Sequence, residues 1–367
     1  MNITTVDSII QKAIKERLFP GAALGIYSQD LGILCKYYGR HTFVPWSRKI
    51  DQDSVFDLAS VTKPLCTALA VATMMSEDKL QLNQPVTDFF PDAPLDKWNI
   101  TLRHLLCHSS GLSAWMPIYK SLSKRGKNHL TNAKTRACEI ILSTPLAYET
   151  GSKSIYSDLG FILLGRIVEI SSGLPLWHLV KKRIYEPLGL TSFTSPLPKG
   201  DSLSEIMVPT GYCPIRKRIC WGEANDINVW SIGGISGHAG LFSNLEDTLR
   251  LTIAIMNAYN DKGKGIASIR GRLICKFLDY RSPNPDIQWA LGFDRPSLQG
   301  SSSGDLFSQN SVGHLGYTGT SFWMDLQEGI SVVFLSARTF PRDIPSDKKR
   351  MKKFRRSLHN EIRKVLG

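Results

Sequence analysis

The sequence predicts an α+β protein built as one domain of two lobes with a cleft between them. Short β-like runs lie near both ends of the 367-residue chain, and helical periodicities fill its middle. The ends must therefore meet in one antiparallel sheet, with the central helices forming a second lobe beside it. Composition agrees: 42% hydrophobic and 21% charged residues are those of an ordinary globular chain with enough apolar surface for a real core. The single domain spans 1–367, with residues 1–62 and 230–367 assigned to the sheet lobe and 63–229 to the mainly helical lobe.

Val6, Ile9, Ile10 and Ile14 recur at helical spacing, so the chain opens with an amphipathic helix. The same stretch lacks a basic start and a continuous apolar run and carries Asp7 early, so it does not read as a signal peptide and a cytoplasmic address is expected. Phe19-Pro-Gly precedes two β-like runs, Ala22–Tyr27 and Gly32–Tyr38, around a polar Ser28-Gln-Asp turn, which predicts a hairpin. At Asp57-Leu-Ala-Ser60-Val-Thr-Lys63-Pro64 a loop becomes a helix. Proline is tolerated only in a first turn, so Ser60 belongs at the helix N-terminus and Lys63 one turn along on the same face. Leu65, Ala68, Leu69, Val71, Ala72 and Met75 make that helix apolar nearly all round, the mark of a buried element.

Further helices are punctuated by caps. Thr101 opens Leu102–Cys107, which closes near Gly111; Ser157 and Asp158 open Leu159–Ile170, which closes near Gly173. Pro175 starts Trp177–Tyr185, and a Ser243-x-x-Glu246 capping box starts Leu245–Met256. Val312–Gly316, Ser321–Asp325 and Ile330–Ser336 supply the closing strands, the last two joined by a tight Gln327-Glu-Gly329 turn, and Ala290–Phe293 is a further strand candidate.

The net charge is +13, but ten Lys or Arg against three Asp or Glu fall between 342 and the end, so over half of the excess sits in one terminal segment. Within it Phe354, Leu358, Ile362 and Leu366 recur every four residues, giving an amphipathic helix whose basic outer face is solvated or, alternatively, meets an anionic surface or anionic cell-wall fragments. No nucleic-acid module or aromatic–basic interleaving is present, and no nucleic-acid partner is expected. No run approaches the roughly 18 apolar residues of a membrane span, so no stable membrane insertion is expected. The seven cysteines are odd in number and scattered, without any Cys-x-x-Cys, and read as reduced core thiols.

Three constellations carry candidate chemistry. Ser60 and Lys63 on a buried helix form a nucleophile with a base in reach. Tyr156, just before a helix start, can face a cleft and act as general base if a cationic lysine favours its phenolate; alone, it reads as a packing residue. Val312-Gly-His314-Leu-Gly316 places glycines in a strand, where a ligand can approach the backbone, and an N–H from that strand with the N–H of Ser60 can form an oxyanion hole. Two other patterns are set aside. His104, Cys107 and His108 share a helix but lack the glutamate of a metalloprotease motif. Gly234-x-x-Gly237-x-x-Gly240 follows no strand of a β-α-β unit, so it lets a loop pass close to the cleft rather than bind a dinucleotide; His238 within it is structural or lines the site. No metal and no cofactor is expected.

Ser60-x-x-Lys63, then Tyr156-Ser-Asp158, then His314-x-Gly316, in this order, resembles the class C β-lactamase family with its low-molecular-mass penicillin-binding proteins, esterases and D-amino-acid peptidases. His104-Leu-Leu-Cys-His108-Ser-Ser-Gly-Leu112 is similar to the family's His-Leu-Leu-Thr-His-Thr-Ser-Gly-Leu, and Gly189-Leu-Thr and Gly237-His-Ala-Gly-Leu-Phe-Ser243 agree as well. The likeness runs from about residue 5 to 365 and implies a β-lactamase/transpeptidase-like fold. It implies that Ser60 is acylated, that Lys63 takes its proton or holds Tyr156 ionised, and that Tyr156 serves the leaving group and then the deacylating water. It further implies an oxyanion hole from the N–H groups of Ser60 and Tyr317, and a substrate-binding set of Asp158, His314, Gly316, Glu223, Asp226 and His238. Asp158 stands where β-lactamases have asparagine, and His314 where they have the lysine that recognises a substrate carboxylate. Ala224 and Asn225 stand where one branch has Val-His.

The expectation is a cytoplasmic serine hydrolase working through an acyl-enzyme on an amide or ester of a small molecule or peptide. A cell-wall-derived peptide or muropeptide, or a carboxylic ester, suits it better than a β-lactam. The alternative is a non-catalytic binding or sensor protein on the same scaffold. The sequence is silent on oligomeric state.

Overall fold

A computed structural model describes residues 3–122, 129–195, 205–261 and 265–367. Helix α1 (Thr4–Lys15) turns Val6, Ile10 and Ala13 inward and leads to the hairpin strands β1 (Gly21–Ser28) and β2 (Gly32–Gly39). A two-residue strand, β3 (Phe56–Asp57), delivers the chain to Ser60. Then come the central helices α2 (Leu69–Ser76), α3 (Leu102–Leu106), α4 (Ile118–Ser121), α5 (His129–Ser143), α6 (Asp158–Ser172) and α7 (Leu176–Val180). A small hairpin, β4 (Tyr212–Cys213) and β5 (Arg218–Ile219), precedes α8 (Ile227–Ser231) and β6 (Phe242–Ser243), which pairs with β3. Helices α9 (Leu245–Asn260) and α10 (Gly271–Asp279), strands β7 (Val312–Leu315), β8 (Ser321–Asp325) and β9 (Ile330–Ser336), and helix α11 (Pro345–Leu366) complete the chain.

The ends of the chain do meet in one antiparallel sheet, ordered β2-β1-β9-β8-β7. Leu24 sits opposite Phe334 and Gly25 opposite Val333, which joins the N-terminal hairpin to the last strand. Alternation sends Ala22, Leu24, Ile26, Val332 and Phe334 to one face, where Val6, Ile10 and Ala13 of α1, Phe19 after it, and Phe354, Leu358 and Ile362 of α11 cover them. Ala23, Val333 and Leu335 point the other way, into the large core shared with the central helices. Each fully buried leucine or phenylalanine here contributes ~1.5–3 kcal/mol. Gly25 lies under α9, where a Cβ would stand 3.0 Å from a Leu249 methyl, so the helix can rest directly on the strand.

Local punctuation mostly follows the sequence. Thr101 and His104 form a reciprocal capping box on α3, and the Ser157 hydroxyl accepts from the Gly160 N–H to open α6, which Gly173 closes at φ 70°. Two expectations are corrected. Asn244, not Ser243, caps α9, its side chain accepting from the Asp247 N–H at 3.0 Å, because pairing with Phe56 holds Ser243 in β6. Ala290–Phe293 is a turn rather than a strand: the Ala290 N–H meets the Phe293 carbonyl at 3.0 Å around Gly292 at φ 84°, and only Asp294 bridges to Gly313.

The glycines at 165 and 237 set a close crossing. A Cβ on Gly237 would fall 1.9 Å from the Phe161 carbonyl oxygen, so only glycine lets the 236–240 loop lie against α6. The Thr67 hydroxyl donates to the Gly237 carbonyl at 2.7 Å and fixes the loop to the nucleophile-bearing helix as well.

Candidate active site

Ser60 sits at the start of a helix, as its sequence predicts, but the helix is not regular. A 3-10 turn (Ala59–Val61) passes into a π-helical stretch (Lys63–Ala68) before α2 begins. Pro64 has no N–H to give to an α ladder, and a widened turn absorbs that gap. Ala59 adopts φ 48°, a left-handed conformation unusual for alanine. Asp57 holds it there: one carboxylate oxygen accepts the Ala59 N–H at 2.8 Å and the other accepts the Asn225 N–H at 2.8 Å. Burial, reinforced by nearby Asp226, raises the Asp57 carboxyl to about 6.

Lys63 is fully buried, and all three of its N–H groups are engaged. They reach Ser60 Oγ at 3.0 Å, Asp158 Oδ1 at 2.7 Å and the His238 carbonyl at 3.0 Å. Burial pulls its pKa down, but the Asp158 carboxylate and Tyr156 outweigh that and leave it above its ordinary value. In the resting state Lys63 is therefore an ammonium that donates to the nucleophile. Asp158 is drawn toward Lys63 as an ion-pair partner while keeping a surface on the cleft.

Tyr156 faces the same point from the loop before α6. The Lys63 ammonium lies 4.8 Å from its ring centroid. Burial raises the phenol's pKa, Asp158 adds to that, and Lys63 and the Ser60 hydroxyl oppose it; the balance is upward. The ring is set in an aromatic wall, with His108 at 4.7 Å, Trp289 at 5.5 Å and His314 at 5.9 Å between centroids. His108, just past α3 at φ 56°, accepts the Ser157 N–H on Nδ1 at 3.0 Å and so orients the loop that carries Tyr156.

Strand β7 brings His314, Gly316 and Tyr317 to the other side of Ser60. Two hydroxyls fasten this strand turn to the nucleophile segment: Thr318 Oγ1 donates to the Asp57 carbonyl at 2.8 Å and Thr320 Oγ1 to the Leu58 carbonyl at 3.1 Å. Gly316 is compelled, since a Cβ would lie 2.0 Å from Thr320 Oγ1 and 2.7 Å from the Leu58 oxygen. Among the described residues, the N–H groups of Ser60 and Tyr317 donate to no protein atom, and both residues line the cleft. They are free to receive an oxyanion. His314 Nδ1 lies 2.9 Å from the Leu315 carbonyl, and burial together with Lys63 lowers the ring's pKa to about 3. The imidazole is thus neutral, with Nδ1–H donating and Nε2 left as a buried acceptor without a protein partner.

Two compartments meet at Ser60, Tyr156 and Tyr317. One, of about 340 Å³, is lined by Trp289, His314, Gly316 and, from α11, Lys348, Met351 and Arg355. The other, of about 580 Å³, takes Asp158, Asp226 and His238 on one wall and Trp115, Tyr212 and Ile215 on another. Asp226 caps α8 by accepting the Val229 N–H at 2.8 Å and lies 3.4 Å from His238 Nε2, while the His238 carbonyl serves Lys63. Glu223 does not join them. Its carboxylate is gripped by Arg218 at 2.8 and 2.9 Å, with Arg216 at 3.5 Å, and only its neighbours Ala224 and Asn225 reach the cleft. Its carboxylate therefore serves β5 rather than a ligand.

Sequence reasoning missed Asp57, His108, Trp289, Lys348 and Arg355. Arg355 left a signal: with Met351, Leu358 and Ile362 it falls on the inward stripe of α11, where a charged residue is out of place.

The family model described as beta-lactamase matches residues 6–355. A protein of Escherichia coli (strain K12) named "Putative D-alanyl-D-alanine carboxypeptidase" is 33% identical over 332 residues, covering 85% of this chain and 75% of its own. Two solved structures share the fold. "EstCE1, a hydrolase with promiscuous acyltransferase activity" aligns at TM-score 0.72 and 19% identity over 97% of this chain and 98% of its own. A class C beta lactamase aligns at TM-score 0.70 and 17% identity, over 96% and 97% respectively.

Proposed function

Since the chain belongs to the beta-lactamase family, we propose that it is a serine hydrolase that forms an acyl-enzyme on Ser60 from an amide or ester carrying a free carboxylate, such as a cell-wall-derived peptide. The observation that carries this is the convergence of Lys63 Nζ, 3.0 Å from Ser60 Oγ, with Tyr156 and two unengaged N–H groups on one point of a cleft. A binding protein has no use for that set.

The chemistry follows from the protonation states. Lys63 donates to Ser60 Oγ, so the hydroxyl proton is directed toward Tyr156. Before attack the Lys63–Tyr156 unit releases one proton to solvent, leaving either the amine or the phenolate; as Ser60 attacks the substrate carbonyl its proton passes to that vacant site, and the two groups act as one coupled unit. The carbonyl oxygen becomes an oxyanion between the N–H groups of Ser60 and Tyr317. Collapse breaks the scissile bond, and the leaving amine or alcohol departs with the proton. Water activated by the same unit then releases the acid and restores Ser60.

One feature supports a free carboxylate on the substrate, and another moves the place where it is held. His314 is neutral, so it offers no fixed charge where β-lactamases have lysine. Lys348, on the first turns of α11, borders both compartments and supplies a cation for a carboxylate beside Ser60. The relative's name, a D-alanyl-D-alanine carboxypeptidase, is in keeping with a peptide that ends in such a carboxylate.

The test is labelling of the folded protein with a fluorophosphonate, followed by peptide mapping. The label is expected on Ser60 and absent from Ser60→Ala. A wild-type protein that stays unlabelled, or a label that survives Ser60→Ala, overturns the proposal.

A further inference from the structure

The peptide unit between Gly316 and Tyr317 presents its N–H to the cleft, and its carbonyl end is held by an arginine. Arg355 Nη2 donates to the Gly316 oxygen at 3.2 Å and to the Thr320 oxygen at 2.7 Å. Arg338 grips the next carbonyl, with Nη2 and Nε at 2.7 and 3.2 Å from Tyr317 O. Both carbonyls that flank the Tyr317 N–H are thus fixed by guanidinium groups.

The two arginines differ in one respect. Arg338 is balanced by Asp343 at 2.8 Å. Arg355 is 6% exposed, and among the described residues no carboxylate comes within ion-pair distance of it. Its Nε is buried without any partner. Burial, with Arg338 nearby, lowers its pKa to about 9, which still leaves it charged at neutral pH. Burying an uncompensated charge is costly, and an aliphatic residue matching Met351, Leu358 and Ile362 would pack the same stripe of α11 without that cost. The resting protein gains little from this charge. A state with negative charge on the far side of the Gly316–Tyr317 peptide gains much more.

We propose that Arg355 is a positioning residue of the oxyanion hole: by holding the Gly316 carbonyl it aims the Tyr317 N–H into the cleft, and its charge is balanced only when the oxyanion forms. A cation on the carbonyl end polarises the peptide and strengthens the N–H as a donor, without reorganisation when the reaction occurs. The inference rests on the acyl-enzyme reading of Ser60.

Arg355→Met keeps the side-chain length and removes charge and hydrogen bonds together. Losing an oxyanion donor outright costs about 10²–10³ in kcat, so a residue acting through the donor should cost about 10–100-fold. In R355M, kcat on a p-nitrophenyl ester is expected to fall by that factor with KM within about twofold. The rate of Ser60 labelling by a fluorophosphonate and the affinity for phenylboronic acid, which forms a tetrahedral anion on serine, are expected to fall in parallel. Unchanged kcat and labelling overturn the inference, as does a rise in KM alone, which would mean direct substrate contact. If R355M melts below the assay temperature, Arg355→Lys carries the test: it keeps the charge and one bond, and a loss of about 3–10-fold in kcat is expected, whereas unchanged kcat is contrary. A wild-type protein that is never labelled overturns both proposals; equal labelling of wild type and variant overturns this one alone.

Discussion

Asp158→Asn isolates the electrostatics of the site, because it removes a charge opposite Lys63 while keeping an acceptor of nearly the same shape. The two groups are 2.7 Å apart, with Lys63 wholly buried. At an effective dielectric constant near 20, their gross attraction is about 6 kcal/mol. Desolvation of the ammonium offsets much of this, and the amide oxygen retains the hydrogen bond, so a net stability loss of ~2–3 kcal/mol is expected. For a domain of this size that lowers the melting temperature by roughly 3–4 °C. The sign with pH is fixed by the direction of the shift. Lys63 is raised above its ordinary 10.5 in the folded protein, so the stabilisation is fully present below 10.5 and is lost only as pH rises through the higher folded value. The gap between wild type and variant should therefore stay constant across neutral pH and close only in strong alkali. Catalysis moves in a defined direction too. Without Asp158, only Tyr156 still opposes the effect of burial on Lys63 and one obstacle to ionising Tyr156 is gone, so the acid limb of kcat/KM shifts to lower pH. Calorimetry at pH 7 and above 10.5, with a pH profile on a p-nitrophenyl ester, measures both. An acid limb that stays in place or moves to higher pH would refute the assignment of Asp158 as the group that keeps Lys63 charged.

Lys63→Ala removes the partner of both Ser60 and Asp158, and kcat/KM should fall by about 10²–10⁴ with the protein still folded, checked by ester turnover beside a melting curve. Gly316→Ala forces a Cβ within 2.0 Å of Thr320 Oγ1; stability should drop by ~1–3 kcal/mol and turnover should fall through displacement of the Tyr317 N–H. Lys348→Ala should raise KM by about tenfold for a peptide ending in a free carboxylate and leave KM for a neutral ester unchanged, the pattern of a lost ion pair to substrate; equal effects on both substrates would remove Lys348 from carboxylate recognition.

Much of the architecture was legible because it depends on local pattern. The strand alternation in Ala22–Tyr27 and Ile330–Ser336, the Thr101 and Ser157 caps and the proline after Lys63 each impose a local geometry, and the sheet follows from joining them. What stayed hidden depends on neighbours remote in sequence. The resemblance puts Glu223 in the substrate-binding set, and nothing local shows otherwise, because Arg218 and Arg216 come onto it only through the β4–β5 hairpin. Asp158 could be placed near the cleft, but its partner, 95 residues earlier, is decided by how α6 packs on the nucleophile helix. Ser243 had the composition of a cap, and pairing with β3 overrode it. The basic segment at the end of the chain reads as an amphipathic helix with a solvated basic face, whereas Lys348 and Arg355 line the cleft because α11, packed on the sheet face, passes the β7–β8 turn, where Arg355 meets the Gly316 and Thr320 carbonyls. The same limit applies to the site: Ser60, Lys63 and Tyr156 come from motif order, whereas the Asn225 partner of Asp57 and the carbonyls gripped by the two arginines emerge only from tertiary contacts.

If the proposed mechanism holds, Ser60 carries the acyl group during turnover. Rapid acid quench of the protein reacting with an activated ester, followed by intact-mass spectrometry and peptide mapping, tests it most directly. A mass increase equal to the acyl group is expected, located on the peptide containing Ser60 and missing in Ser60→Ala. Steady turnover with no trapped adduct, or an adduct on any other residue, would contradict it.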